Sequence, residues 1–188
     1  MRIIGLAGWS GAGKTTLLTK LIPELRRRSL RVATLKHAHH AFDVDQPGKD
    51  SYLHRQAGAS EVIVSSSRRW VQIHEVGDDR EATLADLLRR VSRCDLIVVE
   101  GFKREAHPKL EVFRDGNGRP PLHPDDPRIV AVASDRPFPG AGVPVMPLDG
   151  IEAVADAVIR LSEPIAAVLA RLERQRSDQH RCDHGPAH

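Results

Sequence analysis

The chain of 188 residues is 40% hydrophobic, which is enough for one domain with a substantial core. Its 28 basic and 25 acidic residues give a net charge of only +3, and aromatic residues make up 4%, too few for stacking along single-stranded nucleic acid. No apolar run is long enough to span a membrane, no signal peptide is evident, and two cysteines are too few for a disulfide framework. We therefore expect a cytoplasmic protein with neither a nucleic-acid partner nor a membrane partner.

A glycine-rich motif near the start of the chain, GWSGAGKT at residues 8–15, matches the phosphate-binding pattern G-x-x-x-x-G-K-[ST]. It lies between an apolar strand at 3–7 and an amphipathic helix predicted from Thr15 to about Arg28. Its glycines let backbone N–H groups turn toward phosphate oxygens, and the helix start adds the positive end of a dipole. Lys14 should reach the β- and γ-phosphates, and the Thr15 hydroxyl should bind Mg²⁺. The predicted nucleotide-binding residues in this segment are Gly8, Gly11, Ala12, Gly13, Lys14, Thr15 and Thr16.

Two carboxylates are candidates for metal binding, and Glu100 is also, with Lys14, a candidate for catalysis. The segment 95–101 predicts a buried parallel strand that ends at Glu100, the layout of a Walker B segment. Glu100 would hold Mg²⁺ or orient the attacking water, although it could also be an ordinary acid at a strand end. Asp50, which is predicted to cap a short helix at 51–58, is the alternative metal carboxylate.

The other segments alternate between strands and helices. Strands are predicted at 31–35, 61–65, 69–74, 110–113, 129–133 and 143–148, and helices at 81–92, 150–161 and 162–174. The strand at 69–74 should pair antiparallel with its predecessor, and the proline-rich strand at 143–148 should lie at an edge. Ser162 is predicted to cap the last helix, with Pro164 in its first turn. This pattern predicts an α/β fold of the P-loop NTPase type, in which helices cover both faces of a mostly parallel sheet with possible antiparallel edge strands.

The predicted organisation is one nucleotide-binding domain at 1–175 and a disordered tail at 176–188. Within the domain, a polar loop follows the strand at 31–35, on the carboxyl edge of the sheet where ligands bind. Its ionisable candidates are Lys36, His37, His39, His40, Asp43 and Lys49. The histidines could bind metal, but they have no clean ligand spacing, and the loop could also be an ordinary polar surface.

Asp135 ends a late strand and is a candidate for reading the base. A carboxylate there can accept hydrogen bonds from both N1–H and N2–H₂ of guanine, whereas adenine presents an acceptor at N1. An N-K-x-D motif is absent, and Asp135 could instead begin the turn at 135–137.

Six blocks of the sequence carry a resemblance to a known family. They are WSGAGKTT at 9–16, KHAHH at 36–40, FD at 42–43, PGKDS at 47–51, RQAGA at 55–59 and VEGFK at 99–103. Over roughly residues 1–165 the chain resembles the MobB family, the adapter proteins of molybdopterin-guanine dinucleotide biosynthesis. The resemblance implies a homodimer that binds GTP and hydrolyses it weakly. It also implies that this homodimer assists the guanylyltransferase MobA, which joins GMP to molybdopterin.

The resemblance includes the polar loop. It therefore implies that the loop acts at the γ-phosphate or at the phosphate of a bound pterin, with Lys36 and Lys49 supplying charge. Mg²⁺ and GTP are the implied cofactors, and molybdopterin is a candidate ligand. Trp9 stands where related dimeric ATPases place a second lysine, so no lysine that crosses to a partner is predicted.

Two other functions share the phosphate-loop motif. A small-molecule kinase or other phosphotransferase should also carry an arginine-rich lid, for which Arg68 and Arg69 are poorly placed because they begin a strand. A nucleotide-binding scaffold without turnover would have the same sequence features. Single-turnover hydrolysis separates these cases.

Overall fold

The computed structural model describes residues 1–38, 42–77 and 80–183, the last part (178–183) as helical backbone only. These residues form two compact units, one made of 1–37 with 88–188 and the other of 38–87. The single domain predicted for residues 1–175 stays a prediction. In the described ranges, none of the helices is long and apolar enough to cross a membrane.

The secondary structure follows the predicted alternation of strands and helices. In chain order the elements are β1 (Arg2–Ala7), α1 (Lys14–Arg27), β2 (Val32–Lys36), α2 (Asp50–Gln56), β3 (Glu61–Ser65), β4 (Trp70–His74), α3 (Leu84–Arg90), β5 (Leu96–Glu100), β6 (Lys109–Phe113), a 3₁₀ helix (Asp115–Asn117), β7 (Ile129–Ser134), β8 (Val145–Pro147), α4 (Ile151–Leu161), β9 (Glu163–Pro164) and α5 (Ile165–Asp183).

The first unit is built on a seven-stranded sheet. Six strands run parallel in the order β2-β5-β1-β6-β7-β8, and the short β9 pairs antiparallel with the start of β1. The mostly parallel sheet is confirmed, and β8 lies at the edge as predicted. Because β1 lies between β5 and β6, the loops after these three strands meet at one carboxyl edge, where ligands bind in open α/β sheets.

Helices cover both faces of this sheet. Ile4 and Leu6 of β1 are buried in one apolar cluster with side chains of α1 and α4. Each fully buried aliphatic side chain in such a cluster contributes about 1.5–3 kcal/mol. On the other face the His107 ring lies over Gly5, and α5 covers the same face with Val168 and Leu172 buried.

The start of the last helix differs from the prediction. Ser162 follows α4 instead of capping α5, and its hydroxyl accepts a hydrogen bond from Arg2 Nε at 2.9 Å. Pro164 lies in β9, so it precedes the helix rather than occupying its first turn. Pairing with β1 therefore prevails over the local capping signal.

The end of the last helix also differs, because α5 continues to Asp183 rather than ending near Arg174. Residues 184–188 lie outside the described residues, and the disorder predicted for residues 176–188 stays a prediction.

The second unit contains α2 and the antiparallel pair β3–β4, which confirms the predicted pairing. α2 begins at Asp50 itself, with Lys49 at the N-cap, one residue earlier than predicted. Arg55 Nη1 lies 2.9 Å from Asp43 Oδ1 and 3.4 Å from Asp45 Oδ2, and Arg55 Nε binds Glu75. Arg55 thus joins the polar loop to α2 and to the end of the β-hairpin.

Candidate nucleotide-binding site

The glycine-rich motif forms a tight loop between β1 and α1. Gly8 has φ +144°, and a Cβ on it would lie 2.5 Å from the Val112 carbonyl oxygen, so a side chain cannot fit. Gly13 is the left-handed N-cap of α1, with φ 92°. Ala12 is buried, whereas Gly11, Thr15 and Thr16 are exposed. The predicted phosphate loop therefore presents its outer residues and the helix start to solvent.

The Lys14 ammonium is held over this loop. Its Nζ donates to the carbonyl oxygens of Gly8 and Trp9, both at 2.9 Å. Burial lowers the pKa of Lys14, the Glu100 carboxylate opposes that shift, and the nearby charges of Lys103 and Lys36 add to it. Three cations therefore act on one another around the loop, and an anion such as a phosphate would relieve their repulsion.

The two predicted metal-binding groups nearest to the loop come together. Glu100 ends β5, which pairs with β1 so that Glu100 lies opposite Leu6. The Thr15 hydroxyl donates to Glu100 Oε1 at 3.2 Å. A hydroxyl and a carboxylate are the hard oxygen donors that Mg²⁺ prefers, and Mg²⁺ usually completes its shell with phosphate and water oxygens. The described residues contain no group of three or more His, Cys, Asp or Glu side chains able to hold a metal.

The start of the polar loop lies at the same edge. Lys36 pairs with Glu100 in the β2–β5 register, and the His37 backbone N–H donates to the Glu100 carbonyl at 2.9 Å. The His37 and Phe102 ring centroids are 4.7 Å apart. Gly101 has φ +97°, and a Cβ on it would lie 2.7 Å from the His37 Cβ. The structure thus places Lys36 and His37 beside the strand-end carboxylate.

The remaining predicted loop residues lie either outside the described residues or in the second unit. His39 and His40 lie outside the described residues. Asp43 belongs to the second unit, where the Asp45 backbone N–H and then Arg55 lower the pKa of its carboxyl. Lys49 and Asp50 line a cavity of about 730 Å³ within that unit. Their roles at a phosphate or metal stay predictions.

Asp135 lies at the end of β7 and lines a cavity of about 530 Å³. The cavity is lined by residues 134–139 and 145–147. Asp135 Oδ1 accepts a hydrogen bond from the Asp115 backbone N–H at 2.9 Å. In the same 3₁₀ turn, Asn117 Nδ2 donates to the Ser10 carbonyl of the phosphate loop at 2.9 Å. The turn 115–117 therefore connects the Asp135 cavity with the phosphate loop.

Sequence reasoning missed several side chains around the loop. Arg114 Nη2 lies 3.5 Å from where a Cβ on Gly13 would be. Lys103 and Arg119 lie over the Trp9 ring, 5.5 and 5.6 Å from its centroid. Arg114 could have been found from its position, because it directly follows β6 at the carboxyl edge of the sheet, where ligands bind.

A phosphate loop after a central parallel strand, with an acid at the end of the neighbouring strand, defines a nucleotide-binding protein of the P-loop class. Residues 3–135 match the family model MobB, described as molybdopterin guanine dinucleotide synthesis protein B. The chain belongs to this family.

Curated relatives and a solved structure agree with this assignment. The chain is 47% identical over 160 residues to the molybdopterin-guanine dinucleotide biosynthesis adapter protein of Escherichia coli K12. The aligned segment covers 84% of this chain and 91% of the relative. It is 42% identical over 138 residues to the protein of that name from Haemophilus influenzae, covering 72% and 76% of the two chains. A crystal structure of molybdopterin-guanine biosynthesis protein B superposes with a TM-score of 0.67 at 29% identity, covering 85% of this chain and 97% of that one.

Proposed function

We propose that this chain is a GTP-binding, weakly GTP-hydrolysing adapter of molybdopterin-guanine dinucleotide biosynthesis. It assists the MobA-type guanylyltransferase that attaches GMP to molybdopterin, and it acts in the cytoplasm. The observation that carries the nucleotide part is the 3.2 Å contact between Thr15 and Glu100 beside the phosphate loop. The adapter part rests on family membership and on the names of the two curated relatives.

Lys14 and the backbone N–H groups of the phosphate loop bind the β- and γ-phosphates of GTP. To reach them, the Lys14 ammonium exchanges its carbonyl contacts with Gly8 and Trp9 for phosphate oxygens. Thr15 and Glu100 hold Mg²⁺, which neutralises charge on the phosphate oxygens when bound. The alternative role of Glu100 is to orient the water that attacks the γ-phosphorus, with Asp50 as the metal carboxylate. We expect slow turnover, as the resemblance to the family implies.

The guanine base occupies the cavity lined by Asp135. Asp135 Oδ1 is already bonded to the Asp115 N–H, so the second carboxylate oxygen faces the base edge. Arg136 lies 4.6 Å from the Phe138 ring centroid, which gives the cavity a wall of stacked planar groups. Such a wall suits a flat heterocycle.

Residues of the polar loop are the candidates for a further contact with phosphate. Lys36, His37, His39, His40, Asp43 and Lys49 act at the γ-phosphate or at the phosphate of a bound pterin, which makes molybdopterin a candidate ligand. Asp50 is the alternative Mg²⁺ carboxylate. The position of Lys36 and His37 next to Glu100 supports this arrangement.

The protein acts as a homodimer through the β3–β4 hairpin. Four apolar side chains on this hairpin are exposed in the single chain, namely Ile63, Val64, Trp70 and Val71, with Trp70 63% exposed. By the strand register, Val64 and Val71 are paired on one face of the hairpin, and Ile63 and Trp70 lie on the other. Exposed apolar side chains on a two-stranded ribbon mark an association surface. Light scattering at several concentrations should give twice the monomer mass, and Trp70→Asp should give the monomer. A wild-type monomer at every concentration would reject the dimer.

The adapter role is tested by capture of a purified MobA-type guanylyltransferase on the immobilised chain. We expect GTP with Mg²⁺ to increase capture and Lys14→Ala to remove that increase. Equal capture with and without nucleotide would indicate that the chain is a scaffold whose binding to the guanylyltransferase does not depend on GTP. In single-turnover assays we expect the chain to hydrolyse GTP and release inorganic phosphate. Transfer of the γ-phosphate to a small acceptor would instead identify a kinase.

A further inference from the structure

A second cavity, of about 600 Å³, lies on the α5 face of the first unit, apart from the Asp135 cavity. Its lining residues are Lys103, Arg104, Glu105, Ala106, Lys109, Asp126, Arg128, Arg171, Arg174 and Gln175. They come from the segment between β5 and β6, the first residue of β6, the residues before β7, and α5. We call it the basic cavity, because six of its side chains are cationic and two are acidic.

Part of this positive charge is already paired. Lys109 Nζ lies 3.1 Å from Asp126 Oδ2, and the Lys109 side chain is only 3% exposed. Arg171 binds Glu163 at 2.6 Å and the Ala106 carbonyl at 2.6 Å. These contacts pair two of the six cations, and Glu105 is the one lining carboxylate besides Asp126.

Three arginines, together with Lys103, carry the remaining positive charge. Arg104, Arg128 and Arg174 have no carboxylate within 4.0 Å among the residues that the structure describes. Arg104 is held by its backbone, because Gln175 Nε2 donates to the Arg104 carbonyl at 3.1 Å. The backbone N–H of Arg128 donates to Asp126 Oδ1 at 2.9 Å. The backbones of Arg104 and Arg128 are therefore anchored at the cavity, and no carboxylate among the described residues pairs with their guanidinium groups.

We propose that the basic cavity binds a small multivalent oxyanion, as an anion site separate from the phosphate loop. Its volume lies in the range of small-molecule sites, roughly 300–1,000 Å³. Guanidinium groups bind phosphate and carboxylate oxygens in a bidentate manner, and three unpaired arginines match a ligand with two or more negative charges. Because these cations line a concave site of limited volume, we expect the ligand to be a small molecule rather than nucleic acid or an acidic protein surface.

The basic cavity shares one residue with the surroundings of the phosphate loop. Lys103 lines the cavity, and its Nζ lies 5.5 Å from the Trp9 ring centroid. Its charge also acts on Lys14. An anion in the cavity therefore binds close to the nucleotide, and any assay must separate the two sites.

The test uses the full chain carrying Lys14→Ala, so that the phosphate loop does not contribute. Pyrophosphate and citrate are titrated separately by calorimetry at constant ionic strength. We expect saturable binding of at least one of them, weakened about tenfold or more by Arg128→Ala and by Arg174→Ala. The matched control is Arg160→Ala, which removes the same charge from an exposed position on α4 and should change binding less than twofold.

The two probes distinguish the source of the anion. Preference for pyrophosphate assigns the cavity to a phosphate-bearing ligand, and preference for citrate assigns it to a carboxylate-bearing one. The proposal is overturned if neither probe saturates, if Arg160→Ala weakens binding as much as Arg128→Ala, or if only an oligonucleotide or an acidic peptide binds. Circular dichroism of each variant checks that the fold is retained. If Arg128→Ala misfolds, Arg174→Ala provides the test, because Arg174 is exposed.

Discussion

The Thr15 hydroxyl donates a hydrogen bond to Glu100 Oε1 at 3.2 Å, although the two residues are 85 positions apart in the chain. The contact exists because β5 pairs directly with β1, so that Glu100 at the end of β5 lies beside the first turn of α1, which contains Thr15. It places a hydroxyl and a carboxylate where one Mg²⁺ could bind both.

Lys14→Ala should abolish GTP binding or weaken it strongly, because Lys14 provides charge to the phosphates and is not part of the core. Lys20→Ala is the matched control, since Lys20 lies on the exposed side of α1. Calorimetric titration in the presence of Mg²⁺ measures both. Unchanged GTP affinity in a folded Lys14→Ala protein would remove the phosphate-loop assignment.

Glu100→Gln keeps the shape of the side chain and removes its charge. We expect GTP affinity to stay within about tenfold, or about 1.4 kcal/mol, while single-turnover hydrolysis falls by about a hundredfold or more. Asp50→Asn is measured beside it across a Mg²⁺ titration. The residue that anchors the metal should be partly rescued by high Mg²⁺, and a water-orienting residue should not. Wild-type turnover in Glu100→Gln would make this carboxylate structural.

Asp135→Asn should lower affinity for GTP relative to XTP, because the introduced amide donates where guanine N2–H₂ also donates. The Asn carbonyl oxygen can still accept from the Asp115 N–H, so the turn at 115–117 should be retained. Asp125→Asn, at an exposed loop position, controls for the change in charge. An equal shift for both nucleotides would show that Asp135 does not read the base.

His107 should make the protein less stable in acid. Burial, with a smaller contribution from Lys109, lowers the pKa of His107 from 6.5 to about 3, and neither ring nitrogen has a hydrogen-bond partner within the described structure. Between these two pKa values the unfolded chain binds a proton that the folded chain does not. Stability should therefore fall by about 1.4 kcal/mol for each pH unit below about 6.5, and His107 should contribute no slope above it.

Urea unfolding at several pH values measures this slope, and His107→Gln should flatten it. If that variant does not fold, the ring resonances of the wild-type protein provide the test. If the His107 imidazole protonates near pH 6.5 in the folded protein, the prediction is wrong.

Gly101→Ala should lower the free energy of unfolding by about 1–3 kcal/mol, because its φ of +97° is strained for any residue with a Cβ. That Cβ would also lie 2.7 Å from the His37 Cβ. Gly116→Ala is the control, since a Cβ there meets no atom within 4 Å, and it should change stability by less than about 0.5 kcal/mol. Equal stability of the two variants would show that the β5 end tolerates a side chain.

The sequence pattern predicted the strands, most helices and the phosphate loop correctly, because these depend on hydrophobic periodicity and on glycine geometry within a few residues. It was wrong at Ser162 and Pro164, where a capping signal and a strand pairing compete. β9 forms there because it pairs with the start of β1, which is more than 150 residues away in the chain. No local pattern contains that information.

Local chemistry was thus enough to identify Lys14, Thr15 and Glu100 as candidates, since each belongs to a motif whose spacing follows from its contact with phosphate or metal. Only the strand order brought Thr15 to Glu100 and placed Lys36 and His37 beside them. The roles of Lys103, Arg114 and Asn117 near the loop, and the gathering of Arg104, Arg128 and Arg174 at one cavity, also appear only in the folded chain. The reason is that charge and hydrogen bonding act over a few ångströms in space, whereas sequence patterns report neighbours along the chain.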